Sequence, residues 1–153
     1  MICKRGFIAI SSSKPHASSE IGFLKKALQI IENYHISITS VVTGVDTFSF
    51  VIEAQEAGNS LYAIAEAFRN ELGCEEVKII ENISLVCIVG RGMRSRLGMS
   101  GQIFGELGNK QINIRTISQG PNEISIIVGV DDKDFKDAIR TVYERFIEKG
   151  ERK

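Results

Sequence analysis

The sequence GFLKKALQIIENYHISITSVVTGVDTFSFVIEA, residues 22–54, is followed by a second stretch of the same pattern, GMSGQIFGELGNKQINIRTISQGPNEISIIVGV, residues 98–130. The two stretches align without a gap at an offset of 76 residues (98 − 22). The alignment pairs apolar residues and glycines throughout: Leu28 with Phe104, Ile31 with Leu107, Ile36 with Ile112, Ile38 with Ile114, Gly44 with Gly120, Phe48 with Ile124 and Phe50 with Ile126. A repeated period of this kind predicts two copies of one structural unit.

Each copy combines a helical pattern with a strand pattern. In the first copy, apolar residues recur at three- and four-residue steps from Phe23 to Ile31, which is typical of an amphipathic helix. Ser18 or Ser19 is a candidate cap for that helix. Two alternating runs follow, around Ile38 and around Phe50, and a turn over residues 43–46 joins them. This part of the sequence therefore predicts a β-hairpin with one buried face.

The segments outside the repeat complete the order of elements. Helices are predicted over residues 60–72 and 134–147, and strands over residues 7–11, 75–80 and 83–89. The order is β-α-β-β-α-β followed by β-α-β-β-α. It predicts an α+β protein of two ferredoxin-like βαββαβ units, residues 1–80 and 81–153, each an antiparallel sheet with helices on one face. The second unit lacks its own last strand. An open sheet edge is a pairing site, so we expect a preceding piece of chain or a partner subunit to fill it.

Composition excludes several classes of function. The 19 basic and 19 acidic side chains cancel, which disfavours nucleic acid and membrane surfaces as partners. No run approaches a membrane helix and the start is unlike a signal peptide, so we expect a cytoplasmic protein. Three cysteines and two histidines suit neither a disulfide framework nor a metal site. No acid, base and nucleophile set is present, so no catalytic residue is assigned. An RNA-binding sheet would need clustered aromatic residues and a basic excess.

The sequence also resembles a known family. Residues 2–52 are similar to the first ACT unit of a bacterial aspartokinase, in which a Gly-Phe pair opens the helix and a G-[IV]-D-T segment turns the hairpin. Residues 88–146 resemble the second ACT unit through the strings V-G-x-G-M, I-N-I-R-x-I-S-Q-G and E-I-S-I-I-V. The resemblance covers nearly the whole chain. It implies a C-terminal tandem ACT region. In the family, a short strand upstream of the segment matching residues 2–4 completes the second unit.

The kinase part of that family has no counterpart here. The Lys-Phe-Gly-Gly phosphate-binding start and the N-terminal kinase domain are missing from this sequence. The resemblance therefore implies a regulatory segment that does not itself phosphorylate aspartate and needs no cofactor, whereas the parent kinase would use ATP and Mg. A free-standing ACT-type amino-acid sensor acting on another protein is the alternative.

The start of the helix near Gly22 is the candidate ligand site. Unpaired N–H groups and the positive end of the helix dipole suit an α-carboxylate, and glycine allows a close approach. By resemblance, the ligand-binding residues are Gly22, Phe23, Leu24, Ser37, Ile38, Thr39, Thr43 and Gly44. The equivalent places in the second unit, which could contribute across an interface, are Gly98, Asn113, Ile114, Ser118 and Gln119. The alternative is that Gly22 serves only close packing and Phe23 only the core.

The resemblance also implies the effector and the assembly. Lysine is the first choice of effector and threonine the second, in feedback regulation of aspartate-family amino-acid biosynthesis. Many family members carry an aspartate at the position of Thr39, which changes the group available to a ligand's amino group; Asp46 or Glu20 could supply an acid instead. We expect a homodimer through the first unit, with the ligand pocket between two ACT units.

Overall fold

A computed structural model describes residues 1–90, 97–121 and 124–148 of the chain. Its strands are β1 (Ile2–Ser13), β2 (Ile38–Thr43), β3 (Thr47–Glu53), β4 (Glu76–Val89), β5 (Ile114–Gln119) and β6 (Ser125–Asp131). Its helices are α1 (Phe23–Asn33), α2 (Ala54–Ala57), α3 (Leu61–Leu72), α4 (Met99–Asn109) and α5 (Phe135–Val142). The predicted last helix continues beyond α5 as a π-helical turn, Tyr143–Glu148. Most of the V-G-x-G-M string lies outside the described residues.

The first unit comprises Gly6–Asn82. Its strands lie in the order β2-β3-β1-β4, and β3 pairs antiparallel with both β1 and β2. Helices α1 and α3 pack against each other and against the core of this sheet. The mixed α/β arrangement with an antiparallel sheet confirms the predicted ferredoxin-like fold.

The core of the first unit follows from the alternation of its strands. Phe48, Phe50 and Ile52 on β3 point to the helix-covered face and are at most 3% exposed. The Phe48 ring lies with its centroid 5.1 Å from that of Phe23 on α1, and 5.5 Å from that of Phe68 on α3. Edge-to-face and tilted ring contacts at this distance hold both helices to the sheet.

The second unit combines Met1–Arg5 with the described residues from Ile83 onward. Its strands lie in the order β1-β4-β6-β5, with β1 contributing only its first residues. Met1 and Cys3 pack against the core of this unit, and the Arg5 guanidinium lies 4.8 Å from the centre of the Phe135 ring. The chain's own first residues are therefore the preceding piece of chain that fills the sheet edge left open by the missing last strand.

This placement also differs from the unit boundaries expected from the sequence. The boundaries 1–80 and 81–153 assign Met1–Arg5 to the first unit, whereas the structure places that segment in the second. The two strands predicted over residues 75–80 and 83–89 are one strand, β4, of 14 residues. Gly6 and Asn82, which are equivalent at the repeat offset (6 + 76 = 82), both have a positive φ, 85° and 59°. They mark where β1 and β4 pass from one unit to the other.

The hairpins of the two units differ by two residues. Thr43 pairs with Phe48 in the first hairpin, and its equivalent Gln119 pairs with Ile126 in the second. Phe48 therefore corresponds to Ile126 and Phe50 to Val128, so the ungapped pairings of Phe48 with Ile124 and of Phe50 with Ile126 were wrong. Five residues separate β5 from β6, against three between β2 and β3. Because side chains alternate with a period of two, a two-residue insertion leaves the same face buried.

All three cysteines are free thiols. Burial raises the pKa of the Cys3 and Cys74 thiols. No helix in the described part of the chain is long and apolar enough to cross a membrane. Among residues 1–90, 97–121 and 124–148, no three His, Cys, Asp or Glu side chains are grouped in a way that could hold a metal ion.

Candidate functional site

A cleft opens in the first unit between the start of α1 and the turn that joins β2 to β3. Its volume is about 300 Å³, at the lower end of the range of small-molecule pockets. The residues that line it come from the segment before α1, from the first turn of α1 and from the β2–β3 turn: Ala17, Ser18, Glu20, Gly22, Phe23, Leu24, Lys25, Thr43, Gly44, Val45, Thr47 and Phe48.

The first turn of α1 presents backbone donors to this cleft. Gly22 is the N-cap, with a φ of 76°, and no side chain caps the helix; the predicted caps Ser18 and Ser19 lie in or at the end of a preceding 3-10 turn. The Phe23 N–H donates to the Glu20 carbonyl at 3.2 Å. Within the described residues, the N–H groups of Leu24 and Lys25 have no hydrogen-bond acceptor. Unpaired amides at a helix N-terminus form an anion-binding site.

Backbone hydrogen bonds hold the opposite wall of the cleft. The Lys14 N–H donates to the Asp46 carbonyl and the His16 N–H to the Asp46 carboxylate, both at 2.9 Å. The Gly44 N–H donates to the Thr47 carbonyl at 2.7 Å, and a Cβ on Gly44 would lie 2.5 Å from the Thr47 hydroxyl oxygen. A side chain at residue 44 would therefore require the exposed Thr47 hydroxyl to turn away. The turn is tied to the segment that precedes α1.

Glu20 is the acidic side chain that lines the cleft. Its carboxylate accepts hydrogen bonds from the Lys14 ammonium and, at 2.9 Å, from the Lys26 ammonium. The Lys14 Nζ also lies 5.0 Å from the centre of the Phe23 ring, a cation–π arrangement. The hydrogen bonds from Lys14 and Lys26 lower the pKa of the Glu20 carboxyl.

The lowered pKa of Glu20 predicts a specific pH dependence. Because the folded pKa lies below the unfolded one, the stabilisation is fully present above the unfolded pKa and is lost as the pH falls through the folded pKa. The Glu20→Gln variant should therefore unfold at lower urea concentration than the wild type near pH 7, with a difference that shrinks in acid. The effect should be small, since the pair is partly exposed and screened by salt.

An NMR titration of the Glu20 carboxyl carbon checks the cause directly. Its midpoint should rise in the Lys14→Met/Lys26→Met double variant. A midpoint that is the same in the double variant and the wild type would contradict the assignment of the shift to these two lysines.

Five of the eight ligand-binding residues expected in the first unit line the cleft, and three do not. Gly22, Phe23, Leu24, Thr43 and Gly44 line the cleft. The other three, at the opposite end of β2, are not among the lining residues. Ser37 donates its backbone N–H to the Glu56 carboxylate at 2.8 Å, Ile38 is partly buried against the core and Thr39 is exposed.

Sequence reasoning placed Lys14 only in a loop over the ligand site and assigned no ligand-binding role to Lys14, Lys25 or Val45. Lys14 lies six residues before Glu20 in a predicted loop, and no spacing rule links the two. Lys25 lies within the predicted helix, where no residue pattern marked it as functional. Val45 was seen only as part of the turn.

In the second unit, a side-chain hydrogen bond spans the equivalent place. Gly98 is the N-cap of α4, with a φ of 78°. The Ser100 hydroxyl, at the position of Leu24, donates to the Gln119 side-chain oxygen at 3.2 Å. This bond joins the start of α4 to the end of β5. Of the other residues expected there, Asn113 is exposed and Ile114 and Ser118 are half-buried.

Comparison with known proteins identifies a domain and a set of relatives. Residues 86–146 match the family model described as ACT domain. Aspartokinase 3 of Bacillus subtilis is 29% identical over 142 residues, which are 92% of this chain and 31% of that protein. The chain thus spans less than a third of the length of this curated relative.

Solved structures of aspartate kinases share the fold. The structure of aspartate kinase from Clostridium acetobutylicum superposes with a TM-score of 0.89 at 36% identity, covering 94% of this chain and 33% of that one. The ligand-free regulatory subunit of aspartate kinase from Thermus thermophilus has a TM-score of 0.75 at 21% identity. The match covers 95% of this chain and 95% of that one. Aspartokinase III of E. coli, in complex with lysine and aspartate, has a TM-score of 0.75 at 19% identity over 95% of this chain and 32% of that one. At the last two identities, the likeness is one of fold.

Proposed function

The chain contains an ACT domain and is related over nearly its whole length to aspartokinases, and from that premise we propose that it is the allosteric regulatory region of an aspartate kinase. Its ligand is a free amino acid that binds in the cleft at the start of α1. The kinase domain of the parent protein, which would use ATP and Mg, is the target of regulation.

The observation that carries this proposal is the pair of unpaired amides at the first turn of α1. The N–H groups of Leu24 and Lys25 belong to residues that line a cleft large enough for a small molecule. A carboxylate is the ligand group that such amides and the helix dipole favour. The cleft also has apolar walls from Phe23 and Phe48. This combination suits the carboxylate and the carbon skeleton of an amino acid.

Lysine and threonine are the candidate effectors. The E. coli aspartokinase III that shares this fold was solved with lysine. Threonine is the second candidate. The residue Thr39 replaces an aspartate found in many family members, so it offers no negative charge to the amino group of either ligand. Binding regulates the kinase only if the ligand prefers one of two arrangements of the parent enzyme, with a coupling free energy of roughly 1–3 kcal/mol.

A homodimer explains why the expected ligand-binding residues are divided. In the first unit, β2 is the edge strand, and Ser37, Ile38 and Thr39 lie at its end away from the cleft. Ile21 and Val45 beside the cleft are 99% and 76% exposed, so a covering subunit would gain apolar burial there. We propose that a second copy of the first unit covers these side chains and brings its own β2 to the cleft.

The Thermus thermophilus relative offers a second candidate. A chain of the same extent is there a regulatory subunit of aspartate kinase. The same binding function could thus act from a separate subunit. Purification of the tagged chain with its natural partners distinguishes the two: a kinase bound non-covalently supports the subunit form.

Isothermal titration calorimetry with lysine and threonine tests the effector proposal. The Leu24→Glu variant places a carboxylate at the first turn of α1, where Leu24 is 37% exposed and tolerates a polar side chain. That carboxylate should compete for the amides and repel the ligand's own carboxylate, so binding should be lost. Ser100→Glu, at the equivalent position of the second unit, is the matched control and should still bind. No heat of binding from the wild type with either amino acid, at millimolar concentration, would refute the proposal.

A further inference from the structure

The charged groups around the cleft indicate which side-chain charge an effector can have. Glu20 is the carboxylate that a cationic side chain would seek among the lining residues. Its side chain is only 31% exposed, and both of its oxygens already accept a hydrogen bond from a lysine, Oε2 from Lys14 and Oε1 from Lys26. A cationic ligand would therefore meet a carboxylate whose negative charge two lysines already neutralise, and it gains less there than at an unpaired carboxylate.

Lys14 is held in place more firmly than an ordinary surface lysine. Its side chain is 24% exposed, and its ammonium lies over the Phe23 ring as well as against Glu20. Its backbone N–H donates to the Asp46 carbonyl at 2.9 Å, and its carbonyl accepts the Ala17 N–H at 3.2 Å. Because the fold already positions the Lys14 ammonium beside Glu20, their contact costs no translational or rotational entropy of association. A free cationic ligand must lose that entropy, so Lys14 competes with it strongly for Glu20.

The remaining charges also disfavour a second cation. Lys14, Lys25 and Lys26 lie at the cleft or at its acidic side chain, against the carboxylates of Glu20 and Asp46. Lys14 and Lys26 already neutralise Glu20, while Lys25 lines the cleft beside the N-terminal end of α1, which adds a partial positive charge. This field attracts an α-carboxylate and repels an additional ammonium group.

We propose that Lys14 acts as a built-in cation that occupies Glu20 and thereby selects effectors with an uncharged side chain over lysine. The proposal rests on the amino-acid binding function proposed above and narrows its ligand class. Of the two candidate effectors, threonine then binds more tightly than lysine. Lys14 is a specificity-determining residue, and Glu20 is the group that it masks.

Calorimetric titration of four proteins with threonine and with lysine tests this selection. The wild type should bind threonine at least tenfold more tightly than lysine, a difference of about 1.4 kcal/mol. Lys14→Met keeps an apolar stem over Phe23 but frees one oxygen of Glu20, so the ratio should shift towards lysine by about tenfold. The double variant Lys14→Met/Glu20→Gln should lose that gain, because the carboxylate that would receive lysine is gone. Lys110→Met, in the second unit, is the control and should match the wild type.

The outcomes separate this inference from the effector proposal. If the wild type binds lysine as tightly as threonine, or if Lys14→Met leaves the ratio unchanged, the selection by Lys14 is refuted and the effector site stands. If neither amino acid binds to the wild type, the effector proposal fails and the selection falls with it. Thermal unfolding of each variant verifies that it is folded at the titration temperature.

Discussion

Replacing Phe50 by alanine is expected to destabilise the first unit by about 3–5 kcal/mol. The Phe50 side chain is 0% exposed, and its ring centroid lies 5.5 Å from that of Phe48 and 5.9 Å from that of Phe68. The variant loses the buried area of the ring, its aromatic contacts and the packing between β3 and α3. Since the stability of a typical domain is about 5–15 kcal/mol, this is a large share of the total.

Hydrogen exchange followed by mass spectrometry locates this loss. Exchange in β1 residues 6–13, β3 and α3 should accelerate strongly in Phe50→Ala, while exchange in β5 and β6 should change much less. Tyr62→Ala, on the same helix α3 as Phe68 but 77% exposed, is the control for loss of an aromatic ring and should be nearly neutral. Equal effects of the two substitutions would contradict the packing described for this core.

Removing Met1–Arg5 is expected to loosen the second unit more than the first. The deletion takes away the edge strand beside β4, the packing of Met1 and Cys3 on the core, and the contact of Arg5 with Phe135. The N–H and C=O groups of β4 that faced this strand lose their hydrogen-bond partners. We expect accelerated exchange over Ile83–Val89 and a greater tendency to aggregate through the exposed edge.

Point substitutions separate the role of packing from that of the strand itself. Cys3→Asp introduces a charge at a partly buried position against the core and should reproduce part of the deletion's effect. Ile2→Ser alters a side chain that is 67% exposed and should be close to neutral. If the deletion accelerates exchange in the first unit more than in Ile83–Val89, β5 and β6, the assignment of Met1–Arg5 to the second unit is wrong.

The repeat and the periodicity of apolar residues predict most of the helices and strands of the fold. The ungapped match of residues 22–43 with 98–119 predicted helices and strands that the structure places at the same offset, and Gly22 and Gly98 adopt nearly the same φ, 76° and 78°. These features could be predicted because they depend on local conformational preference and on which side chains must be buried. The same local logic placed unpaired amides at the start of the helix near Gly22, and the structure identifies them as those of Leu24 and Lys25.

The departures from prediction involve strand pairing, strand register and contacts between charged side chains. Nothing in the composition of residues 1–5 shows that they pair with β4 in the second unit, and the pairing of Phe48 with Ile124 was wrong by two residues because register depends on turn length. The masking of Glu20 by Lys14 depends on how the segment before α1 folds back over Phe23. Local sequence limits what each segment can form, but strand register and the meeting of charged side chains are settled by long-range contacts. The free energies of those contacts are summed over the whole packed unit, which is why no short window of sequence contains them.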